Sequence, residues 1–137
     1  MKQNAIHIAV DEFTSPIVEA ITSEMPLEDI ILLMNKKGIR HLPVIENNKP
    51  IGIIGQRDMN ILDGLKGREN LKAQDVMIPS PFCVQTGTPL ESVALDMSNQ
   101  KIGSALVINP AGELEGIFTS TDALNALIEV LRGEISE

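Results

Sequence analysis

The sequence has no Trp and no Tyr, and only three Phe among 137 residues. Its core must therefore be aliphatic, built from Ile, Leu, Val, Ala and Met. The single Cys83 excludes an internal disulfide and fits a reducing, cytoplasmic setting. No apolar run approaches the ~18 residues that span a bilayer, so no membrane partner is expected. Met1-Lys2-Gln3-Asn4 leads only into a mixed segment broken by His7, Asp11 and Glu12, which is no signal peptide. Positive charge is also scarce: 11 Lys and Arg stand against 19 Asp and Glu, a formal net charge of −8. Such a chain repels a phosphate backbone, so no nucleic-acid partner is expected. One small anion, held by a local cation or by helix N-termini, remains admissible. Hydrophobic residues make up 43%, which places the chain among globular proteins of one domain's length.

What is present occurs twice. Met25-Pro26-Leu27-Glu28-Asp29-Ile30 returns as Thr88-Pro89-Leu90-Glu91-Ser92-Val93, an offset of 63 residues. Ile39–Ile45 returns as Ile102–Ile108 at the same offset. Gly52-Ile53-Ile54-Gly55-Gln56-Arg57-Asp58 returns as Gly116-Ile117-Phe118-Thr119-Ser120-Thr121-Asp122, one residue later in phase. Self-similarity at a fixed period means one supersecondary unit used twice. Two copies suit a compact pair with clefts related by an approximate two-fold axis.

Each copy predicts the same elements. Leu27, Ile30, Ile31 and Met34 fall on one helical face, as do Leu90, Val93, Ala94 and Met97. Lys36-Lys37-Gly38 supplies cations and a stop. Leu42–Ile45 and Ala105–Ile108 read as first strands, Ile51–Ile54 and Leu114–Phe118 as second strands, with turn clusters between them. Helices begin near Gln56 and Ser120. The fold class is thus α/β (α+β) with two βαββα repeats. The expected boundaries are an N-terminal helix at 1–13, repeat one at 14–63, a linker at 64–73, repeat two at 74–132 and a tail at 133–137.

These residues resemble a tandem pair of cystathionine β-synthase domains, the CBS pair or Bateman module. The resemblance rests on three features. They are the leading segments Thr14–Val18 and Asp75–Val84, the Gly38–Val44 run, and the Gly116–Asp122 run ending Thr-x-x-Asp. It covers residues 14 to 131, nearly the whole chain. It implies a regulatory module for adenosine-containing ligands such as AMP, ADP, ATP or S-adenosylmethionine. It also implies that two pairs associate into a disc-like dimer.

Thr119-Ser120-Thr121-Asp122 reads first as a capping box, with Thr119 as N-cap and a carboxylate at the third helical position. The same geometry suits a ribose diol at Asp122 and a phosphate near Thr119 and the first-turn N–H groups. By resemblance, the first-ranked cleft joins Ile117, Thr119, Thr121 and Asp122 to Thr14, Ile17, Val18, Ile39 and Arg40. The second joins Ile53, Arg57 and Asp58 to Phe82, Cys83, Val84, Ile102 and Gly103. In that second set Gly55 replaces the cap hydroxyl, and Gly103 and Ser104 offer no cation, although His41 is a candidate source of pH-dependent charge. Ile17, Val18, Phe82 and Val84 equally suit a core wall, and Arg40 a snorkelling edge residue.

His7, His41 and Cys83 have no metal-ligand spacing. No nucleophile–base pair is visible and no phosphate loop of the Gly-x-x-x-x-Gly-Lys type, so no enzyme and no required cofactor are expected. The leading expectation is a stand-alone sensor of adenine nucleotides that regulates an unidentified partner protein. The alternative is an interaction module with empty clefts. A homodimer is expected in either case, because the Met59–Leu62 and Leu124–Leu131 faces exceed what one small pair covers.

Overall fold

The computed structural model describes residues 6–135. The chain divides into two compact units: Val18–Pro81, and Met1–Ile17 together with Phe82–Glu137.

In the first unit, helix α1 (Leu27–Lys37) buries Leu27, Ile30, Ile31 and Met34. Glu28 and Asp29 in its first turn and Lys36 and Lys37 in its last complement the helix dipole. Gly38 ends it at φ 63, where a side chain would be strained. Strands β2 (His41–Glu46) and β3 (Lys49–Gly55) form an antiparallel hairpin that runs straight into helix α2 (Gln56–Leu62). The hairpin turns on Asn47 and Asn48 at φ 53 and 64, the pair of left-handed residues that a two-residue turn demands. The 64–73 linker is not a loose tether. It forms a 3-10 turn (Arg68–Asn70), Leu71 accepts the Leu27 N–H at 2.9 Å, and Arg68 meets Glu28 at 2.7 Å. Helix α3 (Ala73–Val76) and strand β4 (Ile78–Pro79) follow, and β4 pairs antiparallel with β3.

The second unit repeats the plan. Strand β1 (Ser15–Pro16) pairs antiparallel with β7 (Leu114–Thr119), β7 with β6 (Ser104–Ile108), and β6 runs parallel to β5 (Cys83–Gln85). The first unit has the same parallel partner in miniature, a bridge of Ile21 to Val44. Helices α4 (Leu90–Gln100) and α5 (Ser120–Leu131) match α1 and α2. The one-residue phase slip lies in the hairpin turn. Ile45 opposes Pro50 in the first unit, whereas Ile108 opposes Leu114 across one residue more. The longer turn is closed by Asn109 Oδ1, which accepts from the Ala111 and Glu113 N–H groups at 3.0 Å.

The core is aliphatic in the first unit, where Ile21, Leu42, Val44 and Ile54 join α1, but in the second Val10, Val93, Ala105 and Val107 surround Phe118, with Phe13 and Phe82 packed against them. Three expectations change. The N-terminal helix reduces to one 3-10 turn, Val10–Glu12, and residues 1–5 lie outside the described residues. The Val10 N–H bonds the Thr88 carbonyl at 2.8 Å and Ala9 bridges Pro89, so tertiary pairing overrides helical spacing. Second, the leading strand of each repeat is broken and divided between units: β1 and β5 lie in one, Ile21 and β4 in the other. Third, Met59 is 2% exposed and Leu62 packs on the core, so the Met59–Leu62 face is spent internally and Ile61 is the one exposed large apolar residue of that helix.

Candidate functional site

The head of α5 is assembled within the second unit by its antiparallel neighbours. Ser104 opposes Thr119, which places the residue before β6 against the residue after β7, and the Ser120 N–H bonds the Gly103 carbonyl at 3.0 Å. On the other side, Ser15 opposes Ile117 and Pro16 opposes Gly116. Gly116 is required here. A Cβ on it would lie 2.5 Å from Thr14 Cγ2 and 2.8 Å from the Ser15 carbonyl oxygen. Gly52 makes the matching notch in the first unit, against Met77.

The Asp122 carboxylate sits in this frame at 8% exposure. Its Oδ2 accepts the Thr119 N–H at 2.9 Å and the Thr119 hydroxyl at 3.1 Å. Its Oδ1 accepts the Ser15 hydroxyl at 3.0 Å. The Asp122 N–H in turn reaches Thr119 Oγ1 at 3.4 Å, which completes the capping box expected from the sequence. Burying a carboxylate without partners is costly, and these three donors are what make the position tenable.

The first-ranked residues divide between units. Thr14, Ile17, Ile117, Thr119, Thr121 and Asp122 belong to this second unit, and Val18, Ile39 and Arg40 to the first. Thr14 is not the hydroxyl that meets Asp122: its Oγ1 donates to the Val10 carbonyl at 2.8 Å and its methyl fills the Gly116 notch. Ser15 is, and its one-residue displacement from Thr14 was legible only with the β1 register. Ile17 and Ile117 are half-buried, Thr121 is exposed, and Val18 is 71% exposed. Of the second set, Phe82, Val84 and Ile102 pack on the core of the second unit, and Cys83 pairs with Leu106. Burial pushes the Cys83 thiol up from its ordinary pKa, the state of an unreactive cysteine.

Ile53, Arg57 and Asp58 lie in the first unit, where the α2 head is built differently. No side chain caps it. Arg40 stands there, because the Gln56 N–H bonds the Arg40 carbonyl at 2.9 Å. The strand-flanking cation thus shares a unit with Arg57 and half-buried Asp58, and its counterpart at the α5 head is Gly103. Positive charge on His41 is disfavoured: burial, then the neighbouring Arg40, lowers its pKa below the ordinary histidine value.

A family model for the CBS domain matches residues 10–60 and 73–129. The chain belongs to the CBS domain family, as a tandem pair. It is 26% identical over 136 residues to a CBS domain-containing protein of Dictyostelium discoideum, covering 90% of this chain and 94% of that one. It is 30% identical over 105 residues to an inosine-5'-monophosphate dehydrogenase of Korarchaeum cryptofilum, but covers only 21% of that enzyme against 77% of itself. Among solved structures, CBSX2 of Arabidopsis thaliana in complex with AMP superposes with a TM-score of 0.77 at 27% identity, over 89% of this chain and 97% of that one. No helix among the described residues is long and apolar enough to cross a membrane.

Proposed function

We propose that this CBS pair is a non-catalytic sensor of an adenosine-containing ligand, acting in the cytoplasm on a separate protein. The observation that carries this reading is the buried Asp122 carboxylate, set at the first turn of α5 by three donors. A fixed carboxylate at a helix head accepts the hydroxyls of a ribose, as it accepts hydroxyls already. The AMP complex of CBSX2, 97% of whose crystallised chain is matched by this one, supports adenosine as the ligand class. Thr119 would stand at the sugar or phosphate, and Ile17 and Ile117 would offer apolar surface to the base. The Asp58 set ranks second, since its carboxylate lacks a hydroxyl cap.

Calorimetric titration of AMP and ATP tests this. Wild type should bind, and Asp122→Ala should lose roughly tenfold or more in affinity, since each charge-assisted bond is worth about 1.5–3 kcal/mol. Asp58→Ala should change little. A melt without ligand separates lost capping from lost binding. Wild type that binds neither nucleotide at millimolar concentration would leave the interaction-module reading.

That second reading has its own support. Leu124, Leu127, Ile128 and Leu131 fall at successive turns of α5 and are 44–76% exposed. Next to them lies an apolar hollow lined in part by Ile8, Leu90, Ala94 and Ala126. A homodimer that covers this stripe is compatible with sensing and is the function that remains without it.

A further inference from the structure

We propose that the Ser15 hydroxyl is a built-in competitor for Asp122, one that a ribose diol must displace, and that it sets the affinity of this site. The inference rests on the adenosine reading above.

An ionised carboxylate offers about four lone-pair positions. Three are taken at Asp122: two on Oδ2 by the Thr119 N–H and hydroxyl, and one on Oδ1 by Ser15. A ribose diol donates two hydrogens, so one existing donor must leave. The Thr119 donors are local to the capping box, and releasing them uncaps α5. The Ser15 hydroxyl comes from β1, 107 residues away in sequence, and turns out of the way by one χ1 rotation. It is the donor that yields. The neighbouring Thr14 cannot substitute, since its hydroxyl is committed to the Val10 carbonyl. The device exists once. The residue aligned with Ser15 at the repeat offset is Ile78, which carries no hydroxyl and is 55% exposed.

The experiment is calorimetric titration of AMP and of 2′,3′-dideoxy-AMP into wild type, Ser15→Ala and Ser15→Thr. Freeing Oδ1 should tighten AMP binding to Ser15→Ala by roughly three- to tenfold, the equivalent of one net hydrogen bond. Dideoxy-AMP, which has no diol, should bind wild type and Ser15→Ala equally. Ser15→Thr, which restores the hydroxyl, should return AMP affinity to the wild-type value. Far-ultraviolet circular dichroism confirms that each variant is folded. AMP affinity that is unchanged or weakened in Ser15→Ala overturns the competitor while leaving the adenosine reading intact. Equal tightening of both ligands overturns it too, because the effect would not involve the diol. Absence of any AMP binding to wild type overturns both readings together.

Discussion

Replacing Gly116 by Ala tests the close approach on which the α5 head depends. The new Cβ would sit 2.5 Å from Thr14 Cγ2 and 2.8 Å from the Ser15 carbonyl oxygen. Carbon atoms in good contact stand ~3.5–4.0 Å apart, so β1 must retreat by about 1 Å. The Thr14 methyl could rotate, but the Ser15 carbonyl is backbone and carries the whole strand with it. Gly116 does not have a positive φ, so the cost is steric rather than conformational. Overpacking of this kind costs about 1–3 kcal/mol, which for a domain of this length lowers Tm by roughly 4–12 °C. Gly52→Ala is the informative comparison. Its three nearest neighbours are Met77 Sδ, Cγ at 2.8 Å and Cβ at 3.1 Å, side-chain atoms of which rotation about χ1 moves the two nearest, and no backbone atom is among them, so the loss should be smaller. Gly103→Ala is the control, because its Cβ meets nothing closer than Ser120 Oγ at 3.6 Å. With no Trp or Tyr, the melt is followed by far-ultraviolet circular dichroism. A Gly116→Ala protein that melts within about 1 °C of wild type, or later than Gly52→Ala, would refute the argument.

Two further outcomes follow from the same geometry. Lys101 ends α4 at φ 56 where Gly38 ends α1, so Lys101→Gly should gain about 1 kcal/mol and raise Tm by a few degrees, and an unchanged melt would show that the left-handed cap carries no strain. Leu124→Glu with Leu131→Glu should turn a dimer into a monomer by light scattering at micromolar concentration, whereas Ile61→Glu should not; a wild-type protein that is already monomeric sinks the idea.

The repeat and its hairpins were legible because apolar runs, turn clusters and their spacing encode local structure directly. Even the slip from an offset of 63 to 64 had a local cause, an extra residue in the second hairpin turn. What was not legible depended on partners distant in sequence. Ile6, Val10 and Phe13 have helical spacing, but the segment is held by Thr88 and Pro89 and never completes a helix. Strands β1 and β4 have two residues each, too few for any periodicity, and each contains a Pro that stops the ladder. Their places are fixed by notches at Gly116 and Gly52, whose meaning appears only when the opposing strand is known.

The site shows the same division at finer grain. The capping box was readable from four consecutive residues, and it is formed. Arg40 joins the Asp122 set by resemblance alone, and the hairpin adds a rule for its place within its own unit. In an antiparallel pair, the residue before the first strand neighbours the residue after the second. His41 opposes Gly55, so Arg40 must stand at the α2 head; Ser104 opposes Thr119, so Gly103 must stand at the α5 head. The two carboxylates therefore differ in kind. Asp122 is buried and oriented by hydroxyl and amide donors, with a glycine where the other helix head has an arginine. Asp58 is half-exposed and uncapped, beside Arg40 and Arg57. Orientation by neutral donors is what selects a sugar diol, since it fixes where two hydroxyls must point. Of the two carboxylates, Asp122 has the fixed orientation that the proposed ribose contact requires, and Ser15 is its one donor from outside the capping box.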